Sequence, residues 1–157
     1  MAHGILEWDL DLLRNAMHLS VNDIRTYFTD GRRVSFILER RLTREVLGGE
    51  LAASEGDDHD VVDAAGRKWE VRSVSAGGIY FCPSYMVGSG RRFDCDGFLR
   101  KLGMIHGYVV SDITEFPRVP YWKVEAGLVR RWWDAGMLGT TTKIPRARAI
   151  QLLRTLS

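Results

Sequence analysis

The sequence contains few of the features that mark secreted, membrane-spanning or thiolate-metal proteins. Only two of its 157 residues are cysteines, Cys82 and Cys95, which excludes a disulfide framework. Neither cysteine has companions at zinc spacing, so a metal–thiolate site is not expected. No apolar run approaches about 18 residues, and no signal peptide opens the chain. These absences predict a cytoplasmic protein with no membrane partner.

The chain also lacks a strong excess of charge of either sign. Lysine and arginine number 22 against 20 acidic residues, for a formal net charge of +2. A nucleic-acid surface would therefore have to be a local patch on a balanced protein. Arginine clusters offer such patches, although most clusters of this kind are solvated helix faces. They are Arg32 with Arg33, Arg40 with Arg41 and Arg44, Arg91 with Arg92, Arg130 with Arg131, and Arg146 with Arg148.

The strongest pattern in the sequence is a hairpin motif that ends near residue 73. Two valines precede the turn 64–66, and charged residues then alternate with other residues at the period of two that is typical of a half-buried strand. The turn ends in a glycine, which takes the left-handed conformation easily. This loop puts Asp60 opposite Glu70, and Arg72 then shares a face with Glu70.

Two carboxylates and a cation at one place suit phosphodiester hydrolysis. Asp60 and Glu70, together with the carbonyl group of Val71, form a candidate site for Mg²⁺, with Mn²⁺ as a substitute, because hard cations prefer oxygen ligands. Such a metal lowers the pKa of water and neutralises phosphate charge. Arg72 is the candidate cation for stabilising the transition state. A solvated hairpin with cross-strand ion pairs explains the same spacing without catalysis.

The segment from Asp60 to Ser73 resembles the active-site hairpin of the PD-(D/E)XK nuclease superfamily, and within it the PvuII-type restriction endonucleases. Residues 21–24 and 30–31, and then Lys143-Ile144-Pro145, resemble further stretches of that type. The region 76–98 aligns poorly. The resemblance implies an α/β (α+β) fold with a restriction-endonuclease-like core, in which helices flank a central mixed sheet.

The same resemblance implies domain organisation and function. Residues 1–157 would form a single nuclease domain, in which 1–30 is a helical dimerisation segment and 31–157 the catalytic and DNA-binding core. The implied activity is that of a type II restriction endonuclease, a homodimer that cuts a short palindromic site in double-stranded DNA with Mg²⁺. A cognate DNA methyltransferase would belong to the same system. The alternatives are a nuclease-fold DNA-binding protein with weak or no cleavage, and a structure-directed repair nuclease.

One residue departs from the family pattern. The superfamily usually carries lysine where this chain has Arg72. Arginine does not lose its proton at working pH, so it cannot serve as a general base. It can still supply positive charge and bind phosphate through two parallel hydrogen bonds. Arg72 therefore fits an electrostatic role, and it leaves open a weakened or inactive enzyme.

Several further acidic residues are candidates for the metal site. Asp57, three residues before Asp60, corresponds best to an additional acidic position of the family motif. In some superfamily members a helical glutamate joins the metal site, which draws attention to Glu39 and Glu45. Ion pairs with neighbouring arginines on the helix surface are the plainer interpretation of both glutamates.

The residues expected to contact DNA come from three parts of the chain. Asp30 matches a residue that faces the minor groove in the resembling enzymes, although a turn aspartate that bonds its own backbone explains it equally. The glycine-rich segment 75–96 falls where those enzymes read the major groove, but it lacks their histidines. The polar loop 140–145 aligns with positions near the DNA in those enzymes. The alternatives are a flexible surface loop for the first segment and an ordinary helix-entry loop for the second. The candidate residues of these two loops are Ser84, Tyr85, Arg91, Arg92, Thr141 and Lys143.

Periodicity predicts the following elements, with Ser20 as the N-cap of the second helix. They are helices over 5–17, 20–28, 33–47, 98–104, 125–135 and 146–156, and strands after the turn 64–66, over 107–113 and over 120–124.

Overall fold

The computed structural model describes residues 2–54 and 58–157. It is a mixed α/β structure in which helices flank a curled mixed sheet, as predicted. The helices are α1 (Leu10–Met17), α2 (Val21–Phe28), α3 (Gly31–Leu42), α4 (Cys95–Met104), α5 (Ala126–Asp134) and α6 (Arg146–Leu153). The strands are β1 (His3–Glu7), β2 (Glu50–Leu51), β3 (Val61–Val62), β4 (Lys68–Val74), β5 (Ile79–Tyr80), β6 (Gly107–Asp112), β7 (Arg118–Glu125) and β8 (Lys143–Ile144).

Six of these strands form one sheet in the order β1-β7-β6-β4-β3-β2. The neighbours β4 and β6 run parallel, and the other pairs in the sheet are antiparallel. The strands β5 and β8 form a separate two-stranded ribbon. The predicted central strand corresponds to β6, whose residues are all buried.

Two apolar clusters enclose the sheet, one on each face. Along β6, Val109 belongs to the cluster that includes α2 and α3, whereas Tyr108 and Val110 belong to the cluster that includes α4, α5 and α6. Alternate burial of this kind follows from the period of two in a strand. Each fully buried side chain of this size stabilises the fold by about 1.5–3 kcal/mol. The core therefore fixes β4, the neighbour of β6, between two packed layers.

The hairpin β3–β4 has the predicted register. Val61 pairs with Trp69 and Val62 with Lys68, so the turn residues 64–66 close the loop. Gly66 takes the left-handed conformation with a φ of 77°. The carboxylate of the buried Asp63 accepts hydrogen bonds from both backbone and side-chain donors of the turn and of β4. Burial alone would raise the pKa of Asp63, but these bonds outweigh it and lower the pKa to about 2.

Helices α2 and α3 lie where the sequence indicates. Ser20 caps α2 by accepting a hydrogen bond from the backbone of Asp23. The predicted helix over 33–47 consists of α3 and a π-helical turn, Thr43–Leu47, and it ends at Gly48 with a φ of 61°. No helix in residues 2–54 and 58–157 is long and apolar enough to cross a bilayer.

The predicted helix over 5–17 is partly wrong. Residues His3–Glu7 form the edge strand β1, which pairs with β7 in antiparallel register, and the helix begins only after Asp9, its N-cap. The apolar spacing of this region also fits a helix, but the backbone hydrogen bonds offered by β7 favour the strand. The predicted dimerisation segment is therefore a strand followed by two helices rather than helical throughout.

Candidate active site

The two central carboxylates of the site, those of Asp60 and Glu70, both lie within ion-pair distance of Arg72. Asp60 directly precedes β3, and its backbone N–H donates to the carbonyl of Trp69 at 3.0 Å. Its Oδ2 accepts a hydrogen bond from the backbone N–H of Val71 at 2.8 Å. The hairpin pairs Val61 with Trp69, so Asp60 directly precedes the paired residues, and its carboxylate lies 3.8 Å from Arg72, which also contacts Glu70. Burial, and then the negative charge of Glu70, raise the pKa of Asp60 above its ordinary value.

Glu70 is buried, and each of its carboxylate oxygens contacts a cation. Oε2 lies 2.7 Å from Nη2 of Arg72, and Oε1 lies 2.5 Å from Nζ of Lys101. The side chains of Glu70, Arg72 and Lys101 are only 5%, 12% and 12% exposed. The charges of these three residues are therefore largely desolvated, which makes their mutual attraction strong and their separation costly.

Arg72 is held on several sides. Its Nη1 donates to the carbonyl of Val71 at 3.0 Å and lies 3.8 Å from the Asp60 carboxylate. Its guanidinium carbon lies 5.5 Å from the ring centre of Tyr80 and 6.0 Å from that of Tyr108. Burial alone would lower the pKa of Arg72, but the nearby acidic groups, first Glu70 and then Asp60, together outweigh burial and raise the pKa. The guanidinium therefore stays protonated, which excludes a role as base.

Lys101 is the site residue that the sequence did not reveal. It lies on α4, and its ammonium group donates both to Glu70 and to the backbone carbonyl of Asp58. Lys101 thus joins the strand β4 to the segment that leads into Asp60. Neither its spacing nor its neighbours on α4 distinguish it from a solvated helix lysine, so only the packing of α4 against the sheet reveals it.

A cleft of about 350 Å³ opens beside Asp60, between α3 and the segment that follows β2. Glu39 lines this cleft, and burial, followed by the negative charge of Asp60, raises the pKa of Glu39 to about 7. The predicted surface ion pair is present for Glu45, which contacts Arg41 at 2.7 Å. Glu39 makes no ion pair within the described part of the chain. Its carboxylate lines the cleft beside Asp60 instead of forming the surface ion pair that the sequence predicts.

The predicted acidic candidate Asp57 and its neighbour Asp58 differ in what the structure shows of them. Asp57 lies outside the described residues. Asp58 contacts His59 at 2.8 Å and Lys68 at 3.3 Å, so its carboxylate is used in local ion pairs. A larger depression of about 520 Å³, between α1 and α2, shares no lining residue with the site and has no acidic side chain in its lining.

The site offers the oxygen ligands that Mg²⁺ prefers, but the negative charge of its two carboxylates is already balanced by Arg72 and Lys101. Mg²⁺ commonly uses one or two carboxylates and completes its shell with water and substrate phosphate, and Asp60 and Glu70 form such a pair. In the described residues, no group of three or more His, Cys, Asp and Glu side chains is arranged to hold a metal ion. Each carboxylate oxygen of Glu70 contacts one cation and keeps further lone-pair capacity. Asp60 and Glu70 therefore fit a Mg²⁺ ion that can enter between them and the two neighbouring cations, Arg72 and Lys101.

The two loops expected to contact DNA lie together. The ribbon β5–β8 joins them, with Tyr80 opposite Lys143, and the backbone N–H of Cys82 donates to the hydroxyl of Thr142 at 2.8 Å. Because Tyr80 also flanks Arg72, the ribbon connects both loops to the site. The exposed side chains at these loops are Ser84, Tyr85, Arg91, Arg92, Thr141 and Lys143.

Two of the expected DNA contacts are engaged within the chain. Asp30 caps α3 by accepting hydrogen bonds from the backbone of Arg32 and Arg33, which is the turn-aspartate alternative. Arg91 donates to the carbonyls of Ser84 and Val87 and thereby closes its own loop. Contacts of either residue with DNA stay predictions.

Comparisons of the chain with protein-family models, curated proteins and solved structures find no match. The function must therefore be argued from the chemistry of the site.

Proposed function

We propose that the chain is a Mg²⁺-dependent endonuclease of the restriction type, with a restriction-endonuclease-like core, that hydrolyses phosphodiester bonds in double-stranded DNA. The observation that carries the proposal is the meeting of Asp60 and Glu70 across the hairpin, beside two buried cations. Buried charges destabilise a fold unless they are paired, and clusters of perturbed ionisable groups are concentrated at functional sites. A solvated hairpin would leave these groups in water.

Each residue of the site has a distinct task in this reaction. Asp60 and Glu70 would hold Mg²⁺, and the carbonyl of Val71 adds an oxygen next to them. When bound, Mg²⁺ supplies Lewis-acid activation and charge neutralisation. Arg72 keeps its proton and stabilises negative charge that develops on the phosphate. A water oxygen would bond to phosphorus and lose a proton to a phosphate oxygen of the substrate, one P–O bond would break, and the released oxygen would take a proton from solvent.

The surface around β5 and β8 supplies a place for duplex DNA. Lys143 and Arg92 are exposed and belong to the two loops that the ribbon joins, on the side where Tyr80 flanks Arg72. Cations on such a surface contact phosphates and release counterions. Replacing Lys143 with Ala should weaken DNA binding and reduce the slope of log K against log salt by about 1, whereas Lys68→Ala, at a half-buried lysine in contact with Asp58, should change neither.

We propose a homodimer with α1 in its interface, because a two-fold axis suits a palindromic site. No residue of α1 is buried in the described chain, and Leu12 is 66% exposed. Leu12→Asp should convert the dimer to a monomer in sedimentation measurements, whereas a wild-type chain that sediments as a monomer would contradict the interface. A restriction enzyme that cuts host DNA also implies a partner methyltransferase that protects it.

A second candidate function is DNA binding with weak or no cleavage. It is favoured by the occupation of both Glu70 oxygens and by Arg72, which cannot accept a proton. Replacing Arg72 with Lys separates the two functions. A loss of cleavage identifies Arg72 as an adapted catalytic residue, whereas a large gain shows that the native site is impaired.

The direct test of the proposed function compares Glu70→Ala with Glu125→Ala. The second residue is an exposed glutamate at the end of β7 and serves as the control. Glu70→Ala should abolish Mg²⁺-dependent cutting while a gel-shift assay still detects DNA binding, and Glu125→Ala should cut at the wild-type rate. Cutting by Glu70→Ala at the wild-type rate would contradict the proposal.

A further inference from the structure

We infer that the ammonium group of Lys101 is a resident counter-ion, which occupies the place on Glu70 that a divalent cation takes. Metal binding then requires Lys101 to leave the Oε1 oxygen. The inference rests on the proposed function for the identity of the metal, but its test measures binding rather than cleavage.

The surroundings of the ammonium group are those of a hard cation. Its two recorded partners are both oxygens, the Oε1 atom of Glu70 and the backbone carbonyl of Asp58. The Lys101 side chain is 12% exposed, so these oxygens replace most of its water. Carboxylate and carbonyl oxygens are the ligands that Mg²⁺ and Mn²⁺ also prefer. The same two oxygens can therefore hold either an ammonium group or a metal.

The charge balance of the site determines how strongly Lys101 and a divalent cation compete for Glu70. Asp60 and Glu70 contribute two negative charges, and Arg72 and Lys101 contribute two positive charges. A divalent cation that enters beside all four groups meets no excess negative charge, and it meets the repulsion of a nearby ammonium group. Displacement of Lys101 leaves a net charge of −1 among the remaining three groups, which attracts the metal.

Lys101 is the cation that can move. Arg72 is fixed by the carbonyl of Val71 and lies between the rings of Tyr80 and Tyr108. Lys101, in contrast, has a compact charge on a flexible four-carbon chain. Exchange at Oε1 therefore requires a side-chain rotation, whereas exchange at Oε2 would disturb the core.

Calorimetric titration of Mn²⁺ into the purified full chain tests the inference with two variants. Lys101→Met keeps the length of the side chain and removes its charge, and we expect it to bind Mn²⁺ about tenfold more tightly than wild type or better. Lys68→Met is the control, because Lys68 contacts Asp58 but not Glu70. It should change the affinity less than about threefold, since that contact is exposed. Equal or weaker binding by Lys101→Met would overturn the inference.

A second measurement needs no variant and so does not depend on whether Lys101→Met folds. Magnesium is titrated into wild-type protein with labelled lysines, and the NMR signal of the Lys101 side chain is followed. The signal should shift with the same midpoint as metal binding, and a signal that stays fixed while Mg²⁺ binds would overturn the inference. Tighter Mn²⁺ binding by Lys101→Met in a chain that never cuts DNA would refute the proposed function alone. Metal-dependent cutting by the wild type, together with Mn²⁺ binding by Lys101→Met that is no tighter than that of wild type, would refute this inference alone.

Discussion

Removal of the guanidinium of Arg72 is the perturbation whose effect on stability follows most directly from the structure. The change Arg72→Met replaces the arginine with an unbranched apolar side chain and removes the 2.7 Å ion pair with Glu70. Breaking a buried pair by removing one partner costs roughly 3–5 kcal/mol. Lys101 still contacts the other carboxylate oxygen, so we expect a loss at the lower end of this range, about 3 kcal/mol.

The matched control is Arg130→Met on α5. Arg130 also pairs with a carboxylate, that of Asp134 at 2.9 Å, but the two side chains are 50% and 55% exposed. An exposed helix pair of this kind contributes about 0.5 kcal/mol or less. The two variants therefore differ in burial while both lose one arginine–carboxylate contact.

Urea unfolding at neutral pH, analysed by linear extrapolation, measures both free energies of unfolding. A double-variant cycle that combines Glu70→Gln with Arg72→Met should give a coupling energy of about 2 kcal/mol, because both changes affect one contact. A free energy of unfolding for Arg72→Met within about 0.5 kcal/mol of wild type would refute the reasoning, since a buried pair cannot be lost at so small a cost.

Three other changes test separate parts of the structure by the same unfolding measurement. Because burial and then nearby carboxylates raise the pKa of Glu39 to about 7, the wild type loses stability as pH rises from about 4.5 to about 7. Glu39→Gln should therefore be more stable than wild type at about pH 8 and equal to it near pH 4, and a constant difference would contradict this cause. Asp63→Ala should cost about 3 kcal/mol because four N–H donors lose their acceptor, and a cost under about 1 kcal/mol would be inconsistent with that role. Gly78→Ala should cost about 3 kcal/mol or more, because its Cβ would lie 2.1 Å from a backbone oxygen of β8, whereas Gly66→Ala meets no atom within 4 Å and should cost about 1 kcal/mol; equal costs would argue against the close approach.

The hairpin could be predicted from the sequence because its determinants are local. The glycine at position 66 sets the turn, the turn sets the register, and the register leaves Asp60 beside the last pair, where its carboxylate accepts a hydrogen bond from the backbone of Val71. A period of two then gives Glu70 and Arg72 the same face of β4. These steps need only neighbouring residues.

The two errors both come from contacts between distant parts of the chain. Lys101 lies 31 residues from Glu70, and the contact depends on how α4 packs against the sheet. The apolar spacing of residues 5–12 suits a helix, but β1 forms because the edge of β7, over a hundred residues later, offers unpaired backbone groups. Local periodicity contains no information about either contact.

The central claim is that the meeting of Asp60 and Glu70 makes a metal-dependent nuclease. The most direct measurement incubates the purified protein with long duplex DNA, in Mg²⁺ and in EDTA, and resolves the products on a gel. Discrete fragments should appear with Mg²⁺ and vanish with EDTA, and mapping their ends gives the recognition site. Intact DNA with Mg²⁺ and with Mn²⁺, alongside a clear shift in a binding assay, would contradict the account and support a DNA-binding protein without cleavage.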